Sequence, residues 1–171
     1  MGLTGNITIT SSLIINRDEE IAALHREATR LKETGDWDGA VAGLREAQVR
    51  MRESSTSYPI ETWVRLPLFL KQAGRFEEAM LEFSRQLDEI DGRIAKEFSH
   101  QPERFWSGFA YHPRAVIYDK MRVACKRQKL PEEAGKYEVL RDEYREKGEK
   151  FRTEFDAWNR KDMAHKRVGR M

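Results

Sequence analysis

Two stretches of this chain are near copies, Leu31-Lys-Glu-Thr-Gly-Asp-Trp-Asp-Gly-Ala40 and Leu70-Lys-Gln-Ala-Gly-Arg-Phe-Glu-Glu-Ala79. In each, a glycine (Gly35, Gly74) stands two residues before an aromatic (Trp37, Phe76) and five before an alanine (Ala40, Ala79). Glycine ends a helix by entering the left-handed region without a Cβ penalty, and the next apolar period starts at once. The recurrence therefore describes one helix–turn–helix unit used more than once. Repeated hairpins leave an extended surface suited to binding other macromolecules.

Composition narrows the class. At 171 residues the chain suits one domain, and its 35% charged and 39% hydrophobic content, rich in Glu, Lys, Arg, Leu and Ala, favours helices over sheets. A net charge of only +2 excludes a whole-molecule field of the kind nucleic-acid and membrane proteins carry. The single Cys125 cannot form an intrachain disulfide, which fits a reducing compartment. The longest apolar run near the start, Leu13-Ile14-Ile15, is too short for a signal sequence or a span, so a cytoplasmic protein off the membrane is expected.

Along the chain, residues 1–15 alternate Ile7 and Ile9 with Asn6, Thr8 and Thr10 and read as a flexible, β-prone arm. Asn16 with Glu19 forms a capping-box pattern for a first helix ending at Gly35, and Asp36 caps a second. A third starts at Pro59 and is kinked by Pro67, and a fourth runs from Phe76 to Phe98. An aromatic connection between His100 and Pro113 holds a short helical turn. A fifth helix spans Pro113 to Gln128, and Pro131 opens a long sixth. There Tyr137, Tyr144, Phe151 and Trp158 recur every seven residues and mark one seam. The seam either packs back as a cap on the array or meets its copy in a homodimer. The expected organisation is an arm (1–15), a helical repeat domain (16–145) and a C-terminal extension with a basic tail (146–171).

Trp63-x2-Leu66-Pro67-x2-Leu70 followed by Gly74, Ala79 and Phe83 resembles the tetratricopeptide repeat, with its W-x2-L-G-x2-Y and A-x3-F signature. Leu24, Ala28, Leu31, Gly35, Ala40, Leu44 and Ala47 fill the same places in a first copy, and Tyr118, Met121, Cys125, Lys129 and Ala134 in a degenerate third. The copies are spaced more widely than the family's period of about 34 residues, and Pro67 occupies a place normally held by a small residue. The resemblance implies an all-α, TPR-like hairpin array closed by a long C-terminal helix. It also implies a groove lined by the first helix of each hairpin, and non-catalytic binding of a protein or acidic peptide there. An adaptor, a chaperone-like protein and an immunity or inhibitor protein all fit.

Carried over by register, Arg26, Arg65 and Lys120 are equivalent, and so are Lys32, Lys71 and Lys126, with His25, Thr29, Leu68 and Arg127 beside them. Two cationic rows would suit an acidic segment or a terminal carboxylate. Each cation also reads as ordinary solvated helix surface. A secondary aromatic patch comprises Phe105, Trp106, Phe109 and Tyr111, composed like a binding hot spot or like a cover on the core. His100 and His112 lack the companions of a zinc site, Asp36 and Asp38 suit capping better than magnesium, and no catalytic motif is present. No metal, cofactor or catalytic residue is therefore expected. The alternative function is that of a nucleic-acid-associated regulator using the basic tail Arg160–Arg170 with the groove.

Overall fold

The structure is a computed structural model that describes the backbone of residues 5–168 and the side chains of residues 17–165. Among the described residues it is all α. The helices are α1 (Gly5–Glu33), α2 (Trp37–Glu53), α3 (Ile60–Trp63), α4 (Arg65–Gln72), α5 (Phe76–Glu97), α6 (Trp106–Phe109), α7 (Tyr111–Arg127) and α8 (Pro131–Val168), with a 3-10 turn at Glu103–Phe105 before α6. The chain forms two compact units, Met1–Glu82 and Phe83–Met171. The division falls within α5, and not at residues 15 and 145 where the sequence changes character.

The turn recurs three times with the same hydrogen bonds. Asp36, Arg75 and Leu130 donate their backbone N–H to the carbonyls of Leu31, Leu70 and Cys125, at 2.9, 2.9 and 3.0 Å. Gly35, Gly74 and Lys129 donate to Lys32, Lys71 and Lys126, at 3.1, 3.2 and 3.2 Å. This is the six-to-one, five-to-two pattern of a Schellman cap, whose C′ residue must be left-handed. Gly35 (φ 84°), Gly74 (φ 77°) and Lys129 (φ 58°) all are. Lys129 thus holds the glycine place at some cost in strain. Five residues on, Ala40, Ala79 and Ala134 bond back to Asp36, Arg75 and Leu130 and are buried, because a small side chain lets the returning helix close on its partner.

In the first unit α1 packs on α2, and α2 on α4. Asp36 caps α2 by accepting from the Gly39 N–H at 2.9 Å. The core gathers Ala28, Val41, Leu44, Leu66, Phe69, Leu70 and Ala79, with Leu31 partly buried against it. Pro67 has no N–H to offer the Trp63 carbonyl, and the helix breaks at Val64 into α3 and α4, with Pro59 as N-cap rather than first helical residue. The freed carbonyl accepts instead from the buried Gln48 Nε2 at 2.9 Å.

The arm expectation is corrected. α1 begins at Gly5, so residues 5–15 are helical and Asn16 lies inside the helix, while residues 1–4 lie outside the described residues. Ile and Thr disfavour helix by only tenths of a kcal/mol each, and extending an existing helix needs no new nucleus. Glu19, freed of a capping role, pairs with Arg26.

In the second unit α8 packs along α7 and α6. Its seam is filled by rings: Tyr118 stacks on Tyr137 and Tyr144, Tyr111 approaches Tyr144, Phe109 meets Phe151 edge-on at 5.1 Å, and Phe105 lies 4.9 Å from Trp158. The seam therefore packs back on its own unit. Phe98 stacks on Phe109 at 4.0 Å, and the Trp106 indole donates to the carbonyls of Phe98 and Gln101. Pro113 falls in the first turn of α7, where a missing N–H leaves no bond unmade.

Candidate partner-binding site

The six cations chosen by register fall in different surroundings. Arg65, on α4, directs Nη2 toward α1, donating to the Thr29 hydroxyl at 2.7 Å and to the His25 carbonyl at 3.3 Å. Thr29 in turn donates to the same carbonyl at 3.0 Å. The guanidinium stands 5.6 Å from the Phe69 ring centre, and the Lys32 ammonium 5.1 Å from it. Arg65 is half-buried and has no carboxylate partner among the described residues. Burial pulls its pKa below the ordinary arginine value. One edge is anchored, and Nε and Nη1 make no hydrogen bond among the described residues.

Arg26 is exposed and tied to Glu19 at 2.6 Å. Lys71 is half-buried and closes the second turn through its carbonyl. Lys32, Lys71 and Lys126 share that turn position, where a cation near a helix C-terminus is favoured by the dipole whatever else it does. On α7, Lys120 is half-buried without an ion pair among the described residues, and Lys126 faces Glu138 at 3.8 Å. The structure thus brings Lys32 and Arg65 together about one ring. Phe105, Trp106, Phe109 and Tyr111 are half-buried and engaged with Phe98, Tyr144, Phe151, Phe155 and Trp158 of their own unit or with backbone carbonyls.

Sequence reading missed Phe69, although it stands one helical turn after Arg65 and so shares its face. It also missed Asp18, which accepts from Tyr58 (2.6 Å), Thr56 (2.7 Å) and Ser54 (3.3 Å) and so fastens the connection after α2 to α1. The Tyr58 and Thr56 hydroxyls hold the Asp18 carboxyl below its usual range. No local pattern announces a carboxylate whose partners lie some forty positions on.

His25 is 8% exposed, and neither ring nitrogen has a hydrogen-bond partner among the described residues. Burial, and then the charge of Arg65, lower its pKa from 6.5 to about 4. It is therefore neutral at pH 7, leaving Arg65 as the charge between α1 and α4. The unfolded chain takes up this proton more readily than the folded one, so stability is full above about pH 6.5 and declines as pH falls toward 4. The loss is about 1–2 kcal/mol once solvent screening is allowed for. Thermal melts of the protein and of His25→Leu should converge in slope below pH 4 and diverge between 4 and 6.5. A wild-type melt flat across that window would refute the assignment.

A crevice of about 370 Å³ at the α7–α8 turn is lined by Lys126, Lys129, Leu130, Pro131, Ala134, Gly135 and Glu138. Among the described residues no group of three or more His, Cys, Asp or Glu is placed to hold a metal ion. None of the described helices is long and apolar enough to cross a membrane. Comparison with protein-family models, with curated proteins and with solved structures gives no match for this chain.

Proposed function

We propose that this is a non-catalytic protein-binding protein of the tetratricopeptide kind, which receives an acidic segment of a partner protein on the face where α1 meets α4. The observation that carries the reading is Arg65. A half-buried guanidinium has already lost part of its hydration, and a carboxylate at its open edge would restore it through charge-assisted hydrogen bonds. Thr29 and the His25 carbonyl fix the other edge, so little side-chain entropy remains to be lost on binding. Lys32 adds a second cation beside Phe69.

The repeated turn supports the family reading. Three hairpins close with one hydrogen-bond pattern and one alanine position, as expected of a unit used three times. An adaptor, a chaperone-like protein or an immunity-type inhibitor would use such a face in the same way. The single cysteine, Cys125, is buried and can form no intrachain disulfide, which suits a cytoplasmic setting.

The test is binding of a fluorescein-labelled hexaglutamate peptide, followed by anisotropy. Arg65→Glu with Lys71→Glu should weaken binding about tenfold or more, since truncating one partner of a buried charge pair typically costs about 2–5 kcal/mol. Helicity by circular dichroism should be unchanged. Equal binding by the double variant would remove this face from consideration.

A further inference from the structure

Two positive charges meet where α1 joins α4, and neither has an acidic partner among the described residues. Arg65 bonds the Thr29 hydroxyl, while Lys32, one turn after Thr29, stands by Phe69, one turn after Arg65. The two cations are thus displaced by one helical turn, about 5 Å, along the junction. Both are half-buried, and the buried Phe69 ring lies beneath them. Glu33, beside Lys32, and Glu61, one turn before Arg65, are exposed and pair with neither. Asp36 is engaged in capping α2. The Arg65 N–H groups on Nε and Nη1 make no bond among the described residues and reach solvent. His25, which faces Arg65 from α1, is neutral at pH 7 and adds no charge.

A carboxylate carries one charge in one plane, so a single acidic side chain answers Arg65 or Lys32 and leaves the other partly dehydrated without a counter-charge. Two carboxylates could answer both, but two flexible side chains would then have to be ordered together. A phosphoryl group carries nearly two charges at pH 7 and three acceptor oxygens in a tetrahedral array. One oxygen can accept from the open N–H groups of Arg65 while another meets the Lys32 ammonium. Resting on the acidic-segment reading above, we propose that the group received between Arg65 and Lys32 is a phosphorylated side chain of the partner protein. Arg65 supplies directed donors, fixed by Thr29 and the His25 carbonyl, and Lys32 supplies the second charge.

Anisotropy with fluorescein-labelled heptapeptides of glycine and alanine, carrying phosphoserine or glutamate at the centre, tests the proposal on the full chain. At pH 7.5 the phosphoserine peptide should bind about tenfold or more tightly than the glutamate peptide. Lowering the pH to 5.5 should weaken it about threefold, because the second phosphate pKa near 6 removes one charge, while the glutamate peptide is unaffected. His25 charges only toward pH 4 and would act in the opposite sense. Lys32→Met should bring the phosphoserine peptide to about the affinity of the glutamate peptide. Arg65→Lys, which keeps the charge and loses the planar fork, should cost about tenfold. Inorganic phosphate should compete only at concentrations about tenfold or more above those of the peptide; equal competition would assign a free-anion site and overturn the proposal. It is equally overturned by no preference for phosphoserine, or by a preference that survives both substitutions. Hexaglutamate binding that needs Arg65 would then leave the acidic-segment reading standing, whereas a chain that binds neither hexaglutamate nor phosphoserine overturns both.

Discussion

Gly108→Ala is expected to destabilise the second unit by about 3 kcal/mol, one of the largest effects of any single methyl group added to this chain. Gly108 is buried in α6, and a Cβ there would overlap the Phe151 ring. That ring cannot swing aside freely, because Phe105, Phe109 and Phe155 surround it. Gly92→Ala supplies the contrast. It is exposed within α5 with nothing near the added methyl, so the change should stabilise by about 0.5–1 kcal/mol through helix propensity alone. Urea unfolding of the two variants should move the midpoint in opposite directions. A further change of Phe151→Leu in the Gly108→Ala background should recover part of the loss. If Gly108→Ala unfolds like the native chain, the packing described for α6 on α8 is wrong.

Gln48→Leu should cost about 2 kcal/mol in the first unit, because it removes the side-chain amide that donates to the buried Trp63 carbonyl. The size of this loss depends on Pro67. Pro67→Ala supplies a backbone N–H in the turn where Trp63 needs one, so in that background Gln48→Leu should cost at least about 1 kcal/mol less. Additive effects in a double-mutant cycle would mean that Gln48 and Pro67 do not answer one another. The pairing gives a polar side chain only 2% exposed a hydrogen-bond partner beside a proline-broken helix.

The same pair marks what a sequence does and does not disclose. Pro67 announces a kink through its own chemistry, and the fold goes further, dividing the helix at Val64 into α3 and α4. Gln48, which repairs it, is an unremarkable glutamine on α2, identifiable only once α2 and α3 are in contact. Likewise Gly35 and Gly74 specify their turns, and Lys129 could be matched to them by register, because left-handed caps depend on local geometry. The seven-residue recurrence of Tyr137, Tyr144, Phe151 and Trp158 gave the stripe on α8, while Phe155 fell outside that spacing yet joins the cluster. Residues 5–15 were misread because alternating Ile and Thr suit a strand when viewed alone, whereas α1 simply continues through them. At the candidate site, register assigned Arg65 and Lys32 to two separate rows, and the fold brings both to the Phe69 ring. Register was silent on the Thr29 and His25 contacts that hold Arg65, on Phe69 beneath it, and on its lack of a carboxylate partner among the described residues.

The most direct measurement is the side-chain Nε–Hε signal of Arg65 in arginine-labelled protein titrated with hexaglutamate. If an acidic segment docks between α1 and α4, that signal should shift saturably and sharpen, the Thr29 amide should move with it, and both changes should vanish in Arg65→Lys. An Arg65 signal that stays fixed while the peptide binds elsewhere, or while no binding occurs, would contradict the account.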